Sequence, residues 1–403
     1  MKRLLAFAGT YVAALALTIA GQQPTSAKPH EGEAIFRFDT FGDEQLWTDV
    51  LRMHEVLPSV SPATALSVGL KVDSDALPPP IIAALKTKQL DVNDPKVTLR
   101  LLELNAVVGV VGKVAGDKLK TVGITCALCH STVDNSLAPG IGKRLDGWPN
   151  RDLNVGLIVN LSPSPVIDPF RQEFAQWGPG KYDARHHIFD GNNLMLLQGA
   201  TATPPTIPVV IPPAFGLQGV GFETYTGDGP ISYWNNYVGV TQMGGQGVFI
   251  DPRIGVNVVQ KPDRVTRQLP ALLDYQLSLL APAAPPGSFN QAMAASGEIL
   301  FNNKARCGTC HIAPTYTDVA RPDRTTPFLH TAAEIGADPE YAARSATGMY
   351  RTTPLRGAWQ HPPYFHDGRA ADFLAVVNYY NTLFNLGLTE QEKAALVEFL
   401  KSL

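Results

Sequence analysis

Apolar positions at the carboxyl-terminal end of the chain recur at helical spacing and predict a packed helix. The stripe comprises Leu396, Phe399, Leu400 and Leu403. Residues spaced i, i+3, i+4 and i+7 lie on one face of a helix, so these side chains are expected in the core. Thr389 and Glu392 precede the stripe at the spacing of a capping box, which predicts that the helix begins just after Thr389.

A partner for this helix is expected over residues 294–301, shortly before Cys307. Gly297 has no Cβ atom and would let the two helices approach closely. Near the other end of the chain, the apolar pattern predicts helices over 43–57, 81–88 and 97–114. Residues 28–115 as a whole are therefore expected to form a helical amino-terminal extension.

Proline and glycine divide the rest of the chain. Turn-forming pairs are frequent over residues 116–285, and the Pro- and Ala-rich stretch 281–287 is typical of a stiff linker. Residues 288–403 then form a last unit with a helix near each end. The expected domains are thus 28–115, 116–285 and 288–403.

Residues 1–27 have the pattern of a secretory signal peptide. Lys2 and Arg3 precede an apolar run over 4–20, and small residues at 25–27 suit a cleavage site. The run is short for a membrane span, although an uncleaved anchor remains an alternative. No later segment has enough uninterrupted apolar residues to cross a bilayer, so no membrane span is expected after signal cleavage.

Composition favours a globular protein with long structured loops. Hydrophobic residues make up 45% of the 403 residues, charged residues only 17%, and there are 33 prolines and 35 glycines. The formal net charge of −3 gives no basic patch for nucleic acid, so no nucleic-acid partner is expected.

Two Cys-x-x-Cys-His pentapeptides, at residues 126–130 and 307–311, use all four cysteines of the chain. We call them the first and second motif. Thiols at i and i+3 and an imidazole at i+4 lie along one face of a helical turn. They can attach a c-type haem through thioethers while the imidazole ligates its iron. The residues concerned are Cys126, Cys129, His130, Cys307, Cys310 and His311.

The alternative is one zinc site built from four thiolates. Zinc-binding cysteine pairs usually lie within about 15–20 residues of each other, whereas 181 residues separate Cys126 from Cys307. Two covalently bound haem c groups are therefore the favoured interpretation. Because c-type haem is attached outside the bacterial cytoplasm, this interpretation agrees with export to the periplasm or beyond.

Residues 349–356 (MYRTTPLR) and 363–369 (PYFHDGR) resemble the second haem domain of bacterial di-haem cytochrome c peroxidases. That superfamily includes the MauG-like enzymes and the di-haem rubber oxygenases. The resemblance is good over 290–403 and thin over 116–285. Residues 28–115 match none of the short peroxidases, and a long segment before the first haem is more like the rubber oxygenases. The resemblance implies two cytochrome c-like haem domains with long loops, and with the helical extension predicted over 28–115 the expected fold is mainly α. It also implies a reactive first haem and an electron-transferring second haem.

The resemblance further implies a sixth ligand for the second haem. The family places it 14 residues after the histidine of the His-Asp/Ser-Gly segment, and counting from His366 gives Tyr380. Met349 is the next candidate metal ligand, and His361 or His366 itself remain alternatives. Arg356 and Arg369 flank the most recognisable stretch and are expected to bind haem propionates, because guanidinium binds carboxylate in a bidentate fashion. A calcium ion between the domains is a further expectation.

The distal side of the first haem departs from the family pattern. Where the family has an acid/base glutamate in a Glu-Met-Gly stretch, this chain has Gln242-Met243-Gly244. Glutamine cannot accept a proton from peroxide as a carboxylate does. Gln242 is nevertheless the candidate catalytic position, Met243 is a candidate iron ligand, and Tyr225 or Trp234 is expected to be the inter-haem aromatic.

Three functions remain open from the sequence. The first is an exported redox enzyme that uses peroxide or dioxygen. The second is a non-catalytic cytochrome that relays electrons to or from a periplasmic donor or acceptor protein. The third is a rubber-oxygenase-like enzyme acting on a hydrophobic substrate. Three further histidines, His30, His54 and His330, are expected to have ordinary surface roles.

Overall fold

The computed structural model describes residues 29–184, 206–320 and 326–403, so the predicted signal peptide lies outside the described residues. Helices cover much more of this part of the chain than strands. The α-helices are α1 (Pro29–Phe38), α2 (Met53–Val56), α3 (Pro62–Ser67), α4 (Pro79–Lys86), α5 (Pro95–Glu103), α6 (Ala127–His130), α7 (Val155–Asn160), α8 (Arg171–Phe174), α9 (Ile231–Tyr237), α10 (Leu269–Ser278), α11 (Gln291–Asn302), α12 (Ala332–Ile335), α13 (Pro339–Ala343), α14 (Phe373–Leu383) and α15 (Glu390–Ser402). The mainly α expectation is confirmed at this level.

The strands are short and form two-stranded sheets in the described part of the chain. They are β1 (Val72–Asp73), β2 (Val110–Ala115), β3 (Lys118–Ile124), β4 (Ser131–Val133), β5 (Ile141–Gly142), β6 (Arg144–Asp146), β7 (Lys181–Tyr182), β8 (Val209–Val210), β9 (Val248–Asp251) and β10 (Val256–Val259). The pair β1–β5 is parallel, and the pairs β2–β3, β4–β6, β7–β8 and β9–β10 are antiparallel.

The helix predicted over 97–114 is wrong in its second half. Helix α5 ends at Glu103, and β2 then pairs with β3 in a hairpin. Gly109, with φ of +77°, turns the chain between them, and the valine-rich sequence that follows favours a strand. The helix predicted over 43–57 is broken as well, into a π-helical turn over Gln45–Val50 and the short helix α2.

The carboxyl-terminal helices agree with the sequence pattern. Helix α11 crosses α15, whose start at Thr389 carries the predicted capping box with Glu392. Leu396, Phe399 and Leu400 are buried there, as expected. A Cβ atom on Gly297 would lie 2.1 Å from the carbonyl oxygen of Ala395, which confirms that the two helix backbones are in close contact.

Residues before the first motif share their core with the residues that follow it. One apolar cluster joins Leu51 and Leu102 to Leu128 within the motif, and another joins Phe36 and Phe41 to Ala127 and to residues of α9 and α10. The expected boundary between residues 115 and 116 falls in the turn of the β2–β3 hairpin. Residues 29–115 are therefore a wall around the first motif.

Within the described residues, the helices lack the length and apolar character that a membrane crossing requires.

Candidate functional site

Each motif folds as a helical turn. In the first motif the backbone N–H of His130 donates to the carbonyl of Cys126 at 3.1 Å. In the second, His311 donates to the carbonyl of Cys307 at 2.9 Å. This i to i+4 bond fixes the turn that the motif spacing predicts.

The two motif histidines share an orientation that suits metal ligation. Nδ1 of His130 lies 3.1 Å from the backbone oxygen of Pro212, and Nδ1 of His311 lies 3.0 Å from that of Tyr316. A carbonyl partner fixes the proton on Nδ1 and leaves the Nε2 lone pair for a metal, as in most histidine metal sites. Burial lowers the pKa of His130 to about 4 and also lowers that of His311, so both rings are neutral.

The second motif opens into a cavity of about 590 Å³. Its wall includes Cys307, Cys310 and His311, and apolar side chains from α11, α14 and α15 line much of the rest. The volume is within the range of cofactor sites, and the apolar lining suits a macrocycle. Thiols, imidazole and apolar wall in one cavity fit a haem attached at the second motif.

Tyr380 lines this cavity, whereas Met349 is not among the described lining residues. The Tyr380 ring stacks on Phe384, with centroids 5.7 Å apart and an interplanar angle of 4°. Burial raises the pKa of its phenol, and the nearby Cys307 and Cys310 thiols add to that effect. The arrangement favours Tyr380 over Met349 as the candidate sixth ligand.

The charged lining of the cavity is strongly cationic. Among the described residues it consists of Arg151, Arg306, Arg351, Arg356 and Arg369, against the single carboxylate of Glu334. An apolar cavity with a cationic wall complements an apolar ring that carries carboxylates, which is the chemistry of haem with its two propionates.

The two arginines singled out from the sequence both lie in this wall. An Arg356 Nη2 atom donates to the carbonyls of Gly216 and Gln218, the latter at 2.9 Å, and its Nε is buried without a partner among the described residues. Arg369 is bound to Asp367 at 3.0 Å and packs over the ring of Phe365 at 4.5 Å. Arg356 is thus the more available of the two for a new carboxylate.

Three histidines besides His311 line the cavity. His366 and His361 are buried, and His366 stacks on Tyr341 with centroids 5.3 Å apart. His330 was expected to have a surface role, but it lies in the wall with Nε2 3.3 Å from Asp318. Sequence spacing gave no signal for His330, because no motif includes it.

Cys310, Asp318 and His330 are the one group of three candidate metal ligands found among the described residues, with ligand atoms within 4.8 Å. Calcium prefers six to eight oxygen ligands, so a thiol and an imidazole do not suit it. Cys310 is moreover a candidate for thioether formation. The expected inter-domain calcium therefore stays a prediction.

The first motif sits between the β2–β3 hairpin and the β4–β6 pair. A Cβ atom on Gly109 would lie 2.1 Å from the backbone nitrogen of Leu128, so the hairpin meets the motif turn directly. Asp146 at the end of β6 accepts from Ser131 at 2.6 Å, from Tyr275 at 2.6 Å and from Arg37 at 2.5 Å. These bonds hold α1 and α10 against the motif.

The side chain of Gln242 is held by hydrogen bonds. Its Oε1 accepts from the Tyr182 hydroxyl at 2.6 Å, and its Nε2 donates to Thr241 at 3.0 Å. The neighbouring Met243 side chain is buried in the apolar cluster that also contains Ala127 of the first motif. The Gln-Met-Gly stretch therefore shares an apolar cluster with the first motif, and it has an amide where the family has a glutamate.

The amino-terminal extension holds the backbone of this stretch. The indole Nε1 of Trp47 donates to the carbonyl of Met243 at 3.0 Å, and Gln45 Nε2 donates to that of Gly244 at 2.8 Å. A Cβ atom on Gly244 would lie 2.6 Å from the Cβ of Leu46. The π-helical turn thus fixes the candidate distal segment, a role that the sequence gave no reason to assign to it.

Tyr225 and Trp234 occupy different positions. Tyr225 lines the cavity of the second motif and donates to the carbonyl of Val210 at 2.9 Å. Trp234 is buried in the apolar cluster with Ala127, and its Nε1 donates to the carbonyl of Glu223 at 3.1 Å. One aromatic is thus beside each motif, and neither position decides which residue lies between two haems.

No family model matches the chain. The methylamine utilization protein MauG of Methylorubrum extorquens is 29% identical over 154 aligned residues, which cover 33% of this chain and 42% of that protein. The match thus spans less than half the length of this curated relative.

Two solved structures are similar to parts of the chain. A MauG-like protein associated with microbial copper homeostasis is 19% identical, with a TM-score of 0.33 over 50% of this chain and 74% of its own. Kuenenia stuttgartiensis hydrazine synthase is 18% identical, with a TM-score of 0.32 over 49% and 72%. The similarity to the Methylorubrum protein, together with the motifs, supports a relationship of this chain to the MauG-like di-haem superfamily.

Proposed function

We propose that this chain is an exported di-haem c-type cytochrome that acts as a redox enzyme of the peroxidase/MauG type. The haem at the first motif is the reactive one, and the haem at the second motif transfers electrons. The observation that carries the proposal is the matching geometry of His130 and His311. In both, Nδ1 faces a backbone carbonyl and two thiols lie on the same turn.

Bound haem would supply one-electron redox chemistry that amino-acid side chains do not provide. The protein's own groups would fix its position. His130 and His311 would each present Nε2, the motif thiols would form the thioethers, and Tyr380 would offer a phenol oxygen at the second site. The arginines of the wall would bind the propionates.

Pro212 contributes to both sites. Its carbonyl accepts from the His130 ring, and Pro212 itself lines the cavity of the second motif. A short covalent and hydrogen-bonded connection therefore runs from the proximal histidine of the first site to the wall of the second. This connection supports electron exchange between the two sites.

Peroxide or dioxygen is the proposed small-molecule partner, and a periplasmic redox protein the proposed electron donor or acceptor. The amide of Gln242 has no proton-accepting group comparable to a carboxylate. A proton removed from peroxide would need another acceptor, so the proposal does not include the acid/base step of the classical peroxidases at this position.

A second candidate function is a non-catalytic electron carrier with both irons six-coordinate. Two neighbouring residues favour it. Gln242 is hydrogen-bonded to Tyr182 and Thr241, and the thioether of Met243 is buried in the apolar cluster that includes Ala127 of the first motif. Such a site would offer an iron ligand without an acid/base group.

Paramagnetic resonance of the purified ferric protein distinguishes the two functions. The enzyme proposal predicts one high-spin and one low-spin signal, with cyanide converting the high-spin signal. Two low-spin signals that ignore cyanide would favour the carrier.

Matched variants assign the signals to the two sites. His130→Gly should remove the high-spin signal and leave the low-spin signal, and His311→Gly should do the reverse. Peroxide turnover that survives His130→Gly would refute the first haem as the reactive one.

A further inference from the structure

Arg151 follows the first motif along the chain but lines the cavity of the second. Its Nη2 donates to the backbone oxygen of His361 at 2.9 Å. Its Nε and Nη1 atoms are buried and have no hydrogen-bond partner among the described residues. Three N–H groups of one guanidinium are thus unsatisfied within a protein interior.

Such an arrangement is costly unless another group satisfies it. A buried donor without a partner costs about 1–3 kcal/mol, and a charged group costs more. Burial lowers the pKa of Arg151, and the phenols of Tyr225 and Tyr364 oppose that fall. The His361 ring is neutral, because burial and the Arg151 charge lower its pKa to about 3, so it offers Arg151 no countercharge. The contacts of Arg151 include no carboxylate among the described residues.

Two further arginines in the same wall have an unsatisfied donor. Arg351 uses Nη1 on the carbonyl of Phe222 and on Glu223 at 2.9 Å, which leaves its buried Nε without a partner. Arg356 likewise has a buried Nε without a partner. Both bind protein oxygens through their Nη atoms and still have a donor to spare at the same cavity.

We propose that Arg151, aided by the Nε donors of Arg351 and Arg356, binds a propionate carboxylate of the haem attached at the second motif. This inference rests on the proposed function. Of these three arginines, Arg151 has the most N–H donors without a partner, and the haem at the second motif carries the carboxylates that would accept from them. The region of the first motif thereby holds the cofactor of the second, and Arg151 is a positioning residue that ties the two haem units together.

Binding of a propionate in this way requires the paired N–H donors of Arg151 as well as its charge. Guanidinium offers two parallel N–H donors to a carboxylate, whereas the lysine ammonium is a point charge. Arg151→Lys therefore keeps the charge but loses the paired geometry, and Arg151→Gln loses both. Arg100, which is exposed and paired with Glu103 at 2.7 Å, provides the control variant Arg100→Gln.

The test uses the full holoprotein and three readouts. A pyridine haemochrome assay counts the haems, resonance Raman spectroscopy records the propionate-bending bands, and spectroelectrochemistry gives the midpoint potential of each haem. Arg151→Gln should shift one propionate-bending band and lower one midpoint potential, because an unpaired propionate stabilises ferric iron. Arg151→Lys should shift the same band with a smaller change in potential, and Arg100→Gln should change neither.

The outcomes separate this inference from the proposed function. Wild-type protein with fewer than two haems would overturn the proposed function and this inference with it. Two haems and an unchanged bending band in both Arg151 variants would overturn the arginine assignment alone. A lowered potential without a band shift would show a charge effect at a distance and would also overturn direct pairing. Arg151→Lys supplies the answer if Arg151→Gln fails to fold.

Discussion

At the scale of single residues, the rings of the two motif histidines are oriented by backbone carbonyls that lie at very different distances from them along the chain. Tyr316 is five residues after His311, while Pro212 is 82 residues after His130. The second site is therefore built mostly from local sequence, and the first depends on tertiary packing. This difference explains why the sequence identified more of the second site than of the first.

Tyr380→Phe tests the sixth ligand of the second haem. Loss of the phenol oxygen should change the low-spin haem spectrum and leave the high-spin spectrum intact, because only the second site loses a ligand. Tyr379→Phe is the matched control, since its hydroxyl donates to the carbonyl of Gly336 at 2.7 Å instead. An unchanged low-spin spectrum in Tyr380→Phe would remove Tyr380 from the candidate ligands.

Glu223→Gln tests a buried carboxyl group near neutral pH. Burial raises the pKa of Glu223 to about 7, although the charges of Arg351 and Arg356 oppose the rise. An acid with a raised native pKa binds an extra proton in the folded state, so its contribution to stability is full below its ordinary pKa and is lost as pH rises through about 7.

We therefore expect wild-type unfolding free energy to fall between about pH 4.5 and 7 by an amount that Glu223→Gln removes. Chemical denaturation across that range measures the slope. Glu340→Gln, at an exposed position, is the control and should keep the wild-type slope. Equal slopes for Glu223→Gln and wild type would mean that Glu223 titrates normally.

At the scale of elements, the crossing of α11 and α15 was predictable because it depends on local patterns. The capping box, the apolar stripe and one glycine are each visible in a short window of sequence. The sequence did not predict the β2–β3 hairpin, because the apolar residues over 97–114 fit the period of a helix as well as that of a strand. Gly109, which must accept the close approach of the first motif, was the available signal that α5 ends before it.

Gly297→Ala tests the helix crossing, because the crossing and the local helix propensity predict changes of opposite sign in the unfolding free energy. Alanine is favoured over glycine inside a helix by about 1 kcal/mol. Here the new methyl group would lie 2.1 Å from the Ala395 carbonyl oxygen, so the helices must separate. We expect a net loss of about 1–3 kcal/mol in the unfolding free energy of holoprotein, by chemical denaturation.

The control at this crossing is Ala295→Gly, at an exposed position of the same helix. It should cost about 1 kcal/mol through propensity alone. A gain in stability from Gly297→Ala would show that the two helices are not in backbone contact.

Trp47→Phe tests whether the amino-terminal extension fixes the distal segment of the first haem. Removing the indole donor leaves the buried Met243 carbonyl unpaired, at a cost of about 1–3 kcal/mol. We also expect the ferric spectrum of the first haem to change. Thr98→Val, which removes a buried hydroxyl bond to the carbonyl of Val60 at 2.7 Å in the same extension, should lower stability without that spectral change. A ferric spectrum of Trp47→Phe that is the same as that of the wild type would refute the positioning role of Trp47.

At the scale of the whole molecule, the two motif regions are connected by contacts that no local pattern reveals. Arg151 reaches the carbonyl of His361, 210 residues away, and Arg351 binds Glu223, 128 residues away. Single-sequence reasoning finds motifs by spacing, but it does not show which distant arginine faces which cavity. For the same reason it suggested Arg356 and Arg369 from the recognisable stretch and did not suggest Arg151.

Each proposed role in this chain depends on a haem held at each motif through two thioether bonds. Intact-mass measurement of the exported, denatured protein detects such bonds, because covalent haem stays attached while zinc is lost. We expect a chain heavier by two haem groups, with no cysteine open to alkylation. An unmodified mass with four alkylatable cysteines would contradict it.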